Sequence, residues 1–262
     1  MAAPTGARLW RFAYRFDGKQ KPLALGVYPT VPLARRPAAR EDAKRILADG
    51  LDPALEKKRQ AQARADAPKF GALLRAIDAF DGQPSTRIAL QLLALLFPRP
   101  GELRLAEWTE FDLERAVWSI PASRMKMRRP HQTPLSRQAV ALLGALRSIS
   151  RGNFLFADVR SPSRPISDGT LNAALRRLGY AKDEATSHGF RATASSLLNE
   201  SGKWHPDAIE RQLAHIEGNS VRAAYARGKH WDERVSMMQW WADYLDELKI
   251  PASRMVVAAV VK

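Results

Sequence analysis

The chain has 262 residues, 45% of them hydrophobic, so a packed core is expected rather than a disordered chain. Lys and Arg number 42 against 27 Asp and Glu, a formal net charge of +15, and a surplus of that size points to an anionic partner, nucleic acid first. The absence of cysteine excludes disulfides, thiolate chemistry and cysteine–zinc sites, and the longest apolar run, residues 88–97 with Gln91 inside it, is half of the ~20 residues a membrane span needs.

Residues 8–28 read as two strands. Trp10, Phe12, Tyr14 and Phe16 alternate with Arg11, Ala13 and Arg15, the period of a half-buried strand, and Asp17-Gly18 is a hairpin signal. A basic helix is predicted over 36–49, with Pro37 in its first turn and Gly50 as its stop. Residues 55–67 are polar and read as a linker or helix extension. From residue 68 the pattern turns helical, with apolar residues three and four apart over 70–80 and 85–97. Short strands are predicted at 117–120, 132–135 and 154–156. The first two bracket the basic run Arg124-Met125-Lys126-Met127-Arg128-Arg129. Helices are predicted over 136–146 with a Ser136 cap, 167–178 with a Ser167 cap, 188–199, 206–215, 220–227 and 231–248. The six residues 120–125 recur at 250–255. The predicted fold class is α+β: a mostly helical domain with a small β-hairpin or sheet, preceded by a small sheet-and-helix domain.

Metal-free cleavage of a phosphodiester needs a nucleophile in line, cations on the nonbridging oxygens, and an acid for the leaving 5′ oxygen. Arginine suits the cationic task, because its planar fork stays charged and donates to two oxygens. Arg99 follows an apolar helix inside a Pro-Gly turn, and Glu102, three residues on, is placed to orient it. His188 and Arg191 are three apart at a predicted helix start, on one face. His215 ends a predicted helix, and Tyr225 follows ten residues later beyond a Gly218-Asn219 turn. Lys126 sits in the basic run, whose Arg124, Arg128 and Arg129 are expected to touch DNA phosphates. Taken singly, each has a bland alternative: a surface turn for Arg99, a helix cap for His215, a core aromatic for Tyr225, a solvated hairpin for Lys126.

In this order the residues resemble the tyrosine recombinases, the phage-type integrases of mobile elements. The likeness rests on Arg99-Pro-Gly-Glu102, Lys126, His188-Gly-Phe-Arg191, His215 after Gln-Leu-Ala, and Tyr225, with matching text at Glu107-Trp108 and at Met238-Gln-Trp-Trp-Ala-Asp-Tyr244. The resemblance implies site-specific DNA integration and recombination through a 3′-phosphotyrosyl bond at Tyr225. Arg99 and Arg191 would clamp the phosphate, with Glu102 supporting Arg99. Lys126 would be the general acid, His188 would assist proton transfer, and His215 would bind the phosphate. It implies no metal or nucleotide cofactor. It implies duplex attachment-site DNA as partner, a tetramer on that DNA, no membrane partner, and a cytoplasmic, nucleoid-associated life in a bacterium.

Residues 1–58 resemble part of the family's arm-type DNA-binding domain. A linker at 59–69 then stands where the family carries a core-binding domain, since the ten residues from 60 to 69 reach at most ~35 Å and cannot form one. A catalytic domain over 70–249 and a tail over 250–262 complete the expected organisation. The alternative reading is a DNA-binding remnant of a deleted integrase that no longer recombines. A type IB topoisomerase-like relaxing activity and a generic RNA-binding protein rank behind it.

Overall fold

In a computed structural model, the residues described are 8–28, 36–48, 52–125, 128–214 and 230–251. The chain divides into two compact units, Met1–Gln62 and Ala63–Lys262.

In the first unit β1 (Arg8–Phe16) and β2 (Lys19–Tyr28) form an antiparallel hairpin, with a register shift between Trp10 and Arg11. Asp17 and Gly18 both take positive φ, 50° and 72°, the geometry a two-residue hairpin turn needs. Tyr14 and Leu23 are buried with Ala43 of α1 (Arg36–Ala48), and Phe12, Phe16 and Leu25 pack around them. Pro37 lies in the first turn of α1 as expected, while Gly50 lies outside the described residues. Asp52 fastens the next helix, α2 (Pro53–Asp78), to this hairpin. One carboxylate oxygen accepts the Ala54 N–H at 3.0 Å and the Tyr14 hydroxyl; the other accepts Lys21 Nζ at 2.6 Å.

Those bonds, Lys21 first, hold the Asp52 carboxyl down to about 2. A depressed acid stabilises the fold above its unfolded pKa and loses that contribution as pH falls through the folded one. The first unit is therefore expected to loosen between about pH 4 and pH 2. Asp52→Asn should flatten that limb of an acid titration followed by tryptophan fluorescence of Trp10. An unchanged titration would remove Asp52 from the account.

Residues 59–69, expected as a linker, lie within α2, which runs on to Asp78 with Pro68 inside it. In the second unit the centre is α3 (Pro84–Leu96). Ile88, Leu90, Leu92, Leu93 and Leu96 are all buried, because neighbours cover this helix on most of its circumference. The short α4 (Pro100–Arg104) follows at once. A three-stranded antiparallel sheet of β3 (Phe111–Asp112), β4 (Val117–Ile120) and β5 (His131–Pro134) comes next, in that spatial order. The two-residue β3 gave no periodic signal; it pairs Phe111 with Trp118, and their rings stack at 5.1 Å.

Ser136 caps α5 (Arg137–Ile149) by accepting the Ala139 N–H at 3.3 Å, as its sequence context suggested. The expected strand at 154–156 is only a bridge between Glu107 and Phe154. Gly169, not Ser167, precedes α6 (Thr170–Arg177); the Ser167 hydroxyl is paired with that of Thr170. Then come α7 (Gly189–Ser201), α8 (Pro206–Gln212) and α9 (Trp231–Leu248). The helix expected over 220–227 lies outside the described residues.

α9 docks on α3 through Trp241, fully buried, whose indole N–H donates to the Ala94 carbonyl at 2.9 Å. α2 crosses α9 at Gly71, where a Cβ would stand 2.2 Å from the Leu248 carbonyl oxygen, so only glycine permits the approach. Of the repeated hexapeptide, Ile120 is buried at 2% exposure and Ile250 is 47% exposed, so the same letters meet different surroundings.

Candidate active site

The buried helix α3 ends at Phe97, which adopts a left-handed conformation (φ 40°, ψ 44°) with no solvent exposure. That turn delivers Arg99 to the start of α4, where Pro100 fits the first helical position. Glu102 holds Arg99 twice. Its Oε2 accepts the Arg99 backbone N–H at 2.9 Å, and its Oε1 accepts Arg99 Nη1 at 2.7 Å. Glu102 is buried and the Arg99 side chain is partly open, so the pair anchors the guanidinium and leaves its far edge for a ligand.

His188 precedes the first turn of α7 and is exposed; Arg191, three residues on, is buried. Arg191 Nη1 donates to the carbonyl of Phe97 at 3.2 Å, across 94 residues of sequence, and so lies beside the turn that bears Arg99. Its Nη2 is buried with no hydrogen-bond partner among the described residues. Burial first, then the charge of Arg99, draws the Arg191 guanidinium down to about 10, still cationic at neutral pH. Two guanidinia held this close, with a buried donor unused, make a place for an oxyanion.

His131, not singled out from the sequence, belongs to the same cluster. It opens β5, opposite Ile120. Burial first, then the charges of Arg234, Arg191 and Arg99, presses its imidazole down to about 3, so it is neutral. Its Nε2 is buried with no partner among the described residues. A histidine that follows a basic run gives no local sign of burial; three arginines from other elements create its environment.

Arg124 departs from the expectation of DNA contact. Its Nη1 donates to Glu110 Oε1 at 2.6 Å and to the Leu105 carbonyl, and its Nη2 to the Glu102 carbonyl. This guanidinium is spent inside the protein, bracing the root of the β4–β5 hairpin against the turn that carries Arg99. Arg128 and Arg129 are exposed beyond it and remain available to a phosphate backbone. Lys126, His215 and Tyr225 lie outside the described residues. The described chain ends just short of His215, at the close of α8, and resumes at His230 before α9.

Among the described residues, one group has metal-ligand character: His205, Asp207 and His230 place ligand atoms within 4.8 Å of one another. Both imidazoles are in use as helix-start partners. His205 Nδ1 accepts the Asp207 N–H at 3.1 Å, and His230 Nδ1 bonds Glu233 Oε2 at 2.6 Å. Among the described residues no helix is long and apolar enough to cross a membrane.

Residues 66–230 match the phage integrase family, and residues 1–60 match the Arm DNA-binding domain. The putative protein IntB of Escherichia coli K12 is 31% identical over 369 residues, covering 93% of this chain and 93% of that protein. Since this chain has only 262 residues, over a hundred positions of that relative have no counterpart in it. The integrase of enterobacteria phage P4 is 47% identical over 193 residues, 68% of this chain. This chain spans 44% of that integrase. Among solved structures, the integrase from mycobacterium phage Brujita shares the fold, with a TM-score of 0.50 at 17% identity, over 64% of this chain and 55% of that one.

Proposed function

The chain belongs to the phage integrase family, and from that premise we propose that it cuts and rejoins duplex DNA through a phosphotyrosine at Tyr225. The observation that carries the reading is the Arg99–Arg191 pair, braced by Glu102 and the Phe97 carbonyl, with a buried donor of Arg191 unused. The Tyr225 oxygen attacks the scissile phosphorus, and the bond to the 5′ oxygen breaks. Arg99 and Arg191 take the charge that gathers on the nonbridging oxygens. Lys126 gives its proton to the departing 5′ oxygen. His215 bonds the phosphate, and His188 assists the proton leaving Tyr225. Rejoining runs the same steps backwards with a new 5′ hydroxyl, so bond energy is kept in the phosphotyrosine.

Three other tyrosines, Tyr14, Tyr180 and Tyr244, are poorer nucleophiles. Tyr14 donates to Asp52, and burial raises the pKa of both Tyr180 and Tyr244. Arg128 and Arg129 grip the duplex backbone, and the first unit holds flanking arm sequence. The enzyme works as a tetramer on duplex attachment sites. The 1–58 arm part, 59–69 junction and 70–249 catalytic part retain the order of longer integrases without the core-binding domain, a reading that the unmatched stretch of IntB supports. With less DNA surface to grip, binding leans on ion pairing and falls steeply with salt.

The test is a nicked suicide duplex, from which the cut strand diffuses away. A denaturant-stable adduct mapped by peptide mass to Tyr225 is expected. A chain that binds DNA and leaves no adduct would instead be the DNA-binding remnant. Lys126 is tested on its own by replacing the 5′ bridging oxygen with sulfur, a leaving group that needs no proton. Lys126→Ala should cleave the sulfur duplex at near the parent rate and stay at least ~100-fold slow on the oxygen one, within the range of general-acid contributions. Equal defects on both would leave Lys126 only an electrostatic role.

A further inference from the structure

Arg234 lies in the first turn of α9 and is 8% exposed, yet among the described residues it makes no ion pair with a carboxylate. A buried guanidinium without a counter-charge is costly unless its donors are well used. Here they are used to join separate parts of the chain. Nε and Nη2 donate to Gln212 Oε1 at 3.0 and 2.7 Å, and Nη2 also donates to the Gln132 carbonyl at 2.5 Å. Trp231 lies against the guanidinium, 5.4 Å from its ring centre. Gln212, at the end of α8, is 3% exposed.

Each partner is anchored next to a stretch of chain that bears one of the proposed reacting groups. Gln132 follows Lys126 by six residues, Gln212 precedes His215 by three, and Arg234 follows Tyr225 by nine. A residue spans at most ~3.3–3.6 Å, so His215 starts within ~11 Å of the Gln212 anchor and Lys126 within ~22 Å of Gln132. Burial and the charge of Arg211 hold the Arg234 guanidinium to about 10, so the tie persists across the neutral range.

We infer that Arg234, with Gln212, is a positioning residue that fixes β5 at Gln132, the end of α8 and the start of α9 to one another, the three places from which the chain leads to Lys126, His215 and Tyr225. The inference rests on the function proposed above. Lysine in its place keeps the charge and loses the fork, and cannot bond Gln212 and the Gln132 carbonyl with the same spread of donors. Gln212→Ala breaks the tie from the other side, and Gln212→Glu restores an acceptor.

The experiment measures single-turnover cleavage of the suicide duplex at saturating protein, DNA affinity, melting temperature, and backbone hydrogen exchange of the full chain. Arg234→Lys and Gln212→Ala should slow cleavage by ten- to a hundredfold with affinity within about twofold. Gln212→Glu should stay within about threefold of the parent. Exchange should quicken in β5, the end of α8 and the start of α9, with α3 unchanged. Parent-like cleavage in Arg234→Lys overturns the inference, as does a loss shared equally by Gln212→Glu. If the parent chain itself forms no adduct, the proposed function fails separately. Exchange then decides: quickening confined to those three segments upholds the tie, and an unchanged pattern overturns it.

Discussion

Tyr225→Phe should abolish the covalent adduct completely while leaving DNA affinity and melting temperature at the parent values. The change removes one oxygen, and in the proposed mechanism that oxygen is the atom that forms the new bond to phosphorus. Partial activity from another residue is not expected. Tyr14 and its hydroxyl serve Asp52 in the first unit, and Tyr244 is half-buried with its ring stacked on Trp240 at 5.2 Å. Tyr180 is drawn up by burial, which disfavours its phenolate. The measurement is a denaturing gel of the suicide-duplex reaction, with binding followed by anisotropy. An adduct of ordinary yield in Tyr225→Phe would move the nucleophile elsewhere.

Arg191→Ala should lower single-turnover cleavage by ~10²–10³-fold or more, the scale seen when one donor to a developing oxyanion is removed. The loss should fall on the rate at saturation, because the exposed Arg128 and Arg129 are proposed to carry much of the ground-state attraction for the backbone. Arg191 also has a structural task, since Nη1 satisfies the carbonyl of Phe97 in its left-handed turn. Alanine leaves that buried acceptor without its donor, at a cost of ~1–3 kcal/mol, so some fall in melting temperature is expected with it. Arg191→Lys separates the two roles. Lysine keeps a cation near the phosphate but cannot donate to the carbonyl and to the phosphate as a planar fork can. Its rate should lie between those of the parent and the alanine variant. A cleavage rate for Arg191→Ala within threefold of the parent would take the residue out of the phosphate clamp.

The two expected effects differ in kind. In the proposed mechanism Tyr225 supplies a bond, so its loss should leave nothing to measure; Arg191 supplies charge stabilisation, so its loss should leave a slow enzyme. Arg99 has the stronger built-in support, through both contacts to Glu102, and among the described residues it has no comparable task of satisfying a distant carbonyl.

The features legible from the residues alone are local ones. The alternation from Trp10 to Phe16 and the Asp17-Gly18 turn specified the hairpin, because strand period and left-handed turn residues are written within a few positions. The largely apolar second half of α3 followed by Pro-Arg-Pro-Gly-Glu placed Arg99 at a rigid turn with Glu102 within reach, again a matter of three residues. Ser136 as a cap and His188-Gly-Phe-Arg191 as a helix start were legible for the same reason. Ser167 was misjudged because its hydroxyl had a nearer side-chain partner in Thr170. The junction at 59–69 was equally ambiguous, since a run of Lys, Arg, Gln and Ala is compatible with both linker and helix, and the chain continues it as α2.

Features that depend on residues far apart in the chain emerge only on folding. Arg191 meets Phe97 across 94 positions and Arg234 meets Gln132 across 102, and no periodicity records either pairing. Arg124 looks like its neighbours Arg128 and Arg129 in the sequence. It differs from them because Glu110 and two carbonyls of the preceding turn fold back around it. His131 is held neutral well into the acid range because burial first, and then three arginines from α4's start, α7 and α9, disfavour its charged form. A residue's type is fixed by the gene. Its charge state and its free donors are fixed by the low-dielectric surroundings that folding assembles, and those surroundings come from the whole chain.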